Sequence, residues 1–115
     1  MRIKEYFTDK ELQCPCCKTL KMNEKFLEML YTARMKAGQN FIITSGYRCD
    51  KHNAEIGSIY PNHPSGRAVD IRCTYSCCRE VIINSLIYAG FKRIGISDKF
   101  IHVDNMDAVE GIWLY

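Results

Sequence analysis

The sequence lacks any long apolar run. No window approaches the roughly 20 apolar residues that a membrane-spanning helix needs, and the first segment, MRIKEYFTDKEL, carries charges throughout. Such a segment is typical of neither a membrane anchor nor a secretory signal. We therefore expect a protein that is cytoplasmic at synthesis and does not enter a membrane.

The sequence also lacks an excess of charge of one sign. Its 16 basic and 13 acidic side chains are interspersed and give a net charge of +3 at pH 7. No basic run is present to predict a nucleic-acid partner. Internal repeats, linkers and low-complexity segments are missing too. The length and the 47% apolar content predict one domain over residues 1–115, which we expect to be monomeric.

Local signals predict helices and strands in an α+β order. Thr8 and Glu11 have the spacing of a capping box, and Asn23 and Gly38 bound a helix over 24–37. Further predictions are a strand at 41–44, a short helix ending near Gly57, a strand at 68–71, a helix capped by Ser76 and reaching about 89, and strands at 93–96 and 100–103. We expect a small antiparallel sheet with helices packed against it.

Cysteine, by contrast, is plentiful. The chain has seven cysteines, an odd number that excludes complete intramolecular pairing. Cys49 stands apart from two clusters, Cys14-Pro15-Cys16-Cys17 and Cys73-x-x-x-Cys77-Cys78. The two clusters together could supply four thiolates to a structural zinc ion. Buried free thiols, or disulfides formed after release from a reducing cytoplasm, are the alternatives.

A second group of residues has the types and spacing of a metal centre. His63 and Asp70 flank a turn at Gly66, and His102 lies in a later predicted strand. A loop ligand and two strand ligands can converge on one ion. Three protein ligands with one open position are characteristic of a catalytic zinc site, whereas structural sites fill all four positions.

Carboxylates lie near the third of these residues. Side chains alternate along a strand, so Asp98, Phe100, His102 and Asp104 should share one face. Either carboxylate could take a proton from water during hydrolysis. Taken singly, each of these residues could equally be an ordinary surface or turn residue.

Several motifs in order resemble one enzyme family. They are Ser45-Gly46-Tyr47-Arg48-Cys49, His52-Asn53, His63-x-x-Gly66-x-Ala68-Val69-Asp70-Ile71 and Phe100-Ile101-His102-Val103-Asp104. Together they resemble the zinc D-alanyl-D-alanine carboxypeptidases and L-alanyl-D-glutamate endopeptidases, from about residue 5 to the end of the chain. The resemblance implies a zinc-dependent peptidase with the α+β fold that this family shares with the hedgehog signalling domain.

The resemblance also implies roles for individual residues. By position, His63, Asp70 and His102 are the ligands of Zn²⁺. Arg48, the arginine of the Ser-Gly-Tyr-Arg loop, would contact the substrate and help to polarise the scissile carbonyl. A guanidinium suits that role because it is always charged and offers several fixed donors.

The chain departs from the family pattern at two positions. Many relatives have a serine two residues before the first histidine ligand, where this chain has Pro61, so Ser65 is a candidate replacement. Many relatives also have Glu or Asp three residues before the last histidine, where this chain has Lys99. Asp98 is then the first candidate for the general base and Asp104 the second.

The implied substrate is a peptidoglycan stem or cross-link peptide that contains D-amino acids. A carboxypeptidase or a phage endolysin-type endopeptidase would act on it in the cell wall after release from the cytoplasm. The alternative is a non-catalytic zinc-binding module with a structural or wall-targeting role, which Lys99 at the family's base position favours.

Overall fold

The computed structural model describes residues 3–115; Met1 and Arg2, which begin the segment expected to carry no signal, lie outside the described residues. A 3-10 turn at Ile3–Glu5 precedes α1 (Asp9–Leu12), α2 (Glu24–Ala37), β1 (Ile43–Ser45), α3 (Asp50–Glu55), β2 (Ala68–Arg72), α4 (Ser76–Tyr88), β3 (Arg93–Ile96), β4 (Phe100–Asp104) and β5 (Gly111–Leu114). None of the helices within 3–115 is long and apolar enough to cross a membrane.

Capping side chains set the ends of the first two α-helices. The Thr8 hydroxyl oxygen accepts from the Glu11 amide and the Glu11 carboxylate accepts from the Thr8 amide, so the predicted capping box is confirmed. Asn23 Oδ1 accepts from the Phe26 amide at the start of α2, and Gly38 ends that helix in the left-handed conformation.

One predicted cap was wrong by a residue. Ser76 is the first residue of α4, and the N-cap position belongs to Tyr75, whose side chain makes no capping hydrogen bond. The predicted end of α4 near residue 89 agrees with its last helical residue, Tyr88.

The sheet has five strands in the order β1-β2-β4-β3-β5. The pairs β1–β2, β2–β4 and β3–β4 are antiparallel, as predicted, but β5 pairs parallel with β3. The strand β5 was not among the predicted elements. Most of its residues are exposed, so the alternation of buried and exposed side chains that marks a strand is weak there.

Helices cover one face of the sheet. α2 packs against α4, and α4 packs against β4. Fully or nearly fully buried apolar side chains fill this layer: Phe26, Leu30 and Ala33 of α2, Ile82 and Leu86 of α4, Val69 and Ile71 of β2, and Ile101 and Val103 of β4. This arrangement confirms the α+β prediction, and alternation along β2 and β4 turns their other residues to the opposite face.

The loop before β2 is docked on the segment that precedes α2. Gly66 has φ +74°, and a Cβ there would lie 2.0 Å from the Lys21 carbonyl oxygen. The Gly66 carbonyl accepts a 2.8 Å hydrogen bond from the Asn23 amide. Only glycine fits this position. The docking therefore anchors the loop that carries His63.

Gly66→Ala is expected to destabilise the protein more than Gly38→Ala. Both glycines have left-handed φ, but a Cβ at Gly38 would meet nothing within 4 Å. Gly38→Ala should cost about 1–2 kcal/mol, the ordinary penalty of a Cβ in this conformation. In Gly66→Ala the added Cβ would also push the loop before β2 away from the backbone at Lys21. Equal losses of unfolding free energy in urea titrations would contradict the docking argument.

Candidate metal centre

Three side chains that are distant in sequence converge on one point. The β2–β4 register places Asp70 directly opposite His102, and His63 enters from the loop before β2. Asp70 Oδ1 lies 2.9 Å from His102 Nδ1 and 3.5 Å from His63 Nε2. A ligand atom of each residue lies within 4.8 Å of the other two. These three residues could therefore hold a metal ion.

The second ring nitrogen of each histidine contacts an oxygen acceptor. His63 Nδ1 lies 2.8 Å from the Gly46 carbonyl oxygen, and His102 Nε2 lies 2.7 Å from Asp104 Oδ2. A carbonyl can only accept, so His63 Nδ1 donates to Gly46 and Nε2 is the ring nitrogen that faces the centre. Carbonyls and carboxylates are the usual outer partners of metal-bound histidines. The donor set thus fits Zn²⁺.

Asp104 is fully buried at the centre of a hydrogen-bond network. Its Oδ1 accepts from Arg93 Nε at 2.6 Å and from the Met106 amide at 3.1 Å. Its Oδ2 faces His102 and accepts from Asn62 Nδ2 at 3.1 Å. Burial alone would raise the Asp104 pKa, but the hydrogen bonds with His102 and Arg93 lower it. Asp104 therefore remains an ionised acceptor.

The pKa values at the centre show that it favours positive charge. Burial opposes ionisation of Asp70, yet hydrogen bonds with His102 and then His63 hold its pKa well below the ordinary value. Burial also opposes protonation of His102, but its contacts with Asp104 and Asp70 raise its pKa. The buried Asp104 carboxylate and the partly buried Asp70 carboxylate thus both face this imidazole, an environment that suits a cation.

Arg48 is held beside the Asp70 carboxylate. Its Nε donates to Ser45 Oγ at 2.9 Å, and its Nη1 donates to Asn53 Oδ1 at 3.1 Å. Its Nη2 lies 3.5 Å from Asp70 Oδ2. The guanidinium is therefore oriented by side chains on both flanks of its loop.

Gly46 allows this loop to approach the end of α1. A Cβ at Gly46 would lie 2.7 Å from the Leu12 carbonyl oxygen, which accepts a 2.8 Å hydrogen bond from the Tyr47 amide. Because the Gly46 carbonyl contacts His63, this close approach also fixes a ligand of the candidate centre.

A cavity of about 200 Å³ opens onto the centre. Its walls include His63, Asp70, His102, Arg48, Phe100 and Tyr115. Among the described residues, Asp70 is the only acidic side chain that lines it. A small peptide segment could reach the three candidate ligands and Arg48 from this side.

Neither of the two predicted candidates for the general base, Asp98 and Asp104, lines this cavity. Asp98 is exposed in the turn between β3 and β4, where its Oδ1 accepts from Ser97 Oγ at 3.2 Å. Lys99 is exposed in the same turn. Ser65, the candidate replacement for the family serine, donates to the Asn62 carbonyl.

Trp113 and Tyr115 lie beside the centre but were not among the predicted site residues. The rings of Trp113 and His102 have centroids 5.7 Å apart, and those of Tyr115 and Phe100 are 5.3 Å apart. Gly95 leaves room for the indole, because a Cβ there would lie 2.6 Å from Trp113 Nε1. The spacing of the two aromatic residues, two positions apart, was the available signal.

Comparison with protein families gave a match over most of the chain. The family model described as Peptidase M15 matches residues 5–104, which include Arg48 and the three candidate ligands. Comparisons with curated proteins and with solved structures gave no match. The family match confirms the resemblance drawn from the sequence motifs. The chain belongs to the peptidase M15 family of metallopeptidases.

Proposed function

We propose that the protein is a zinc peptidase that hydrolyses a bond in peptidoglycan stem or cross-link peptides containing D-amino acids. One observation carries the metal assignment: His63 and His102 each direct one ring nitrogen toward Asp70 while the other contacts an oxygen acceptor. The substrate class rests on family membership and on the motifs around Arg48 and His63. Both a carboxypeptidase and an endopeptidase fit this proposal.

In this proposal His63 Nε2, the Asp70 carboxylate and His102 Nδ1 hold Zn²⁺, and the cavity provides the open position. Zinc at such a site polarises a carbonyl and lowers the pKa of water to near neutral. Gly46 and Asp104 keep the two imidazoles in the orientation that ligation requires. The site is complete within one chain, which is consistent with a monomer.

Arg48 would bind the substrate carbonyl or carboxylate. Its guanidinium lines the cavity and is already oriented by Ser45 and Asn53. Donors fixed before the reaction stabilise a developing oxyanion most effectively, because they need no reorganisation as the charge appears. Asp70 balances the charge of Arg48 in the absence of substrate.

We assign different roles to the two candidate carboxylates. Asp98 would accept the proton from water, since it lies in the turn that leads into Phe100 at the cavity wall. Asp104 would orient His102, because both of its oxygens already accept from protein donors. The enzyme would meet its substrate in the cell wall after release from the cytoplasm.

His63→Ala should abolish metal-dependent cleavage of purified peptidoglycan. Removing one of three ligands weakens zinc binding. His52→Ala is the matched control, because His52 is the chain's one histidine outside the candidate centre. Release of new amino groups and of D-alanine, with and without chelator, provides the measurement. Wall binding by the unmodified protein without cleavage would instead support the non-catalytic module.

Asp98→Asn and Asp104→Asn should have different effects. Loss of a general base should lower kcat about 10²–10⁴-fold with zinc affinity unchanged. Loss of a histidine-orienting carboxylate should weaken zinc binding about 10–100-fold. Zinc titrations and steady-state kinetics on both variants separate the two. Full activity in Asp98→Asn would exclude Asp98 as the base.

Arg48→Lys should lower kcat about 10²–10³-fold, the usual effect of removing an oxyanion donor. Lysine keeps the charge but lacks the planar guanidinium, whose N–H donors contact Ser45 and Asn53 and fix its orientation. Arg72→Lys, at an exposed position on the strand of Asp70, is the matched control. Equal kcat values for the two variants would show that charge alone is sufficient at Arg48.

A further inference from the structure

A second group of potential metal ligands lies beside the Arg48 loop. Four sulfur atoms lie within 4.8 Å of one another, those of Cys14, Cys16, Cys17 and Cys49. We call these four residues the thiol cluster. Cys49, which stands apart in the sequence, thus joins the first cysteine group in the fold.

The structure does not combine the two cysteine groups of the sequence. Cys73 is buried after β2, and its thiol donates to the Tyr75 carbonyl. Cys77 and Cys78 lie in the first turn of α4. Among the described residues, these three belong to no group that could hold a metal ion. The alternative of one site shared by both groups is therefore wrong.

The sulfur spacings in the thiol cluster fit tetrahedral coordination. Sγ–Sγ distances are 3.3 Å for Cys16–Cys49, 3.5 Å for Cys14–Cys16 and 3.6 Å for Cys14–Cys49. A Zn–S bond of about 2.3 Å gives tetrahedral edges of about 3.8 Å. All the cysteines of the described chain are free thiols.

Backbone amides support negative charge on the sulfurs. The Cys49 amide donates to Cys14 Sγ and the His52 amide donates to Cys49 Sγ, both at 3.4 Å. Lys18 has φ 63° and is the one non-glycine residue with positive φ among residues 3–115. Its amide donates to the Cys14 carbonyl at 2.8 Å, which closes the turn that gathers the first three cysteines.

We propose that Cys14, Cys16, Cys17 and Cys49 bind a second zinc ion as a closed structural site. Four thiolates fill a tetrahedral zinc and leave no open position for substrate. Because Cys49 directly follows Arg48 and N-caps α3, this site would join the N-terminal turn to the loop that presents the guanidinium. The second zinc would thereby position Arg48.

Metal content of the protein purified under reducing conditions tests the proposal. We expect two zinc ions per chain in the unmodified protein, one in Cys49→Ser, one in His63→Ala and none in the double variant. Cys78→Ser, which lies outside the thiol cluster, should keep both. Substitution with Co²⁺ should give a thiolate charge-transfer band in His63→Ala, which makes this test independent of the proposed peptidase site.

Two results on the unmodified protein would overturn the proposal without depending on how a variant folds. One is the absence of a cobalt–thiolate band. The other is an intact mass, measured in the folded state, lower by the two hydrogens of a disulfide that peptide mapping places within the thiol cluster.

A double-mutant cycle tests the link to Arg48. If the thiol cluster positions that residue, Arg48→Lys should lower kcat much less in the Cys49→Ser background than in Cys78→Ser. Equal effects in both backgrounds would show that the second zinc does not position Arg48.

Discussion

The contact between Asp70 and His102 across β2 and β4 is the constraint on which the rest of the site depends. The two residues are paired in register, and their neighbours Val69, Ile71 and Ile101 are buried on the opposite face. A slip of one residue would turn the carboxylate into the apolar core. Burial of the core side chains therefore selects the register that forms the candidate centre.

The features that could be predicted from the sequence are those whose determining contacts are local. The capping box at Thr8 and the ends of α2 depend on residues within one or two helical turns, and these features were predictable. The convergence of His63, Asp70 and His102 was predicted from family motifs, since spacing alone cannot specify a tertiary contact. The place of Cys49 among the other cysteines and the strand β5 were missed because their partners are distant in sequence and the local signal is weak.

The buried charges next to the centre are stable only as a set. Asp104 is fully buried with Arg93 against one oxygen and His102 against the other. Each ion compensates the desolvation of its neighbours, so loss of one partner leaves an unpaired buried charge. This network joins β3, β4 and the loop of Asn62. The orientation of one imidazole thus depends on three separate parts of the chain.

The absence of a side chain at Gly95 gives the molecule an intrinsic optical probe. Gly95 lies between His102 and Trp113 in one row across the sheet, and the indole lies over it. Trp113 is the chain's single tryptophan. Its emission should respond to the charge on the neighbouring His102 imidazole. Fluorescence of the unlabelled protein can therefore report whether a cation is bound at His102, without any introduced dye.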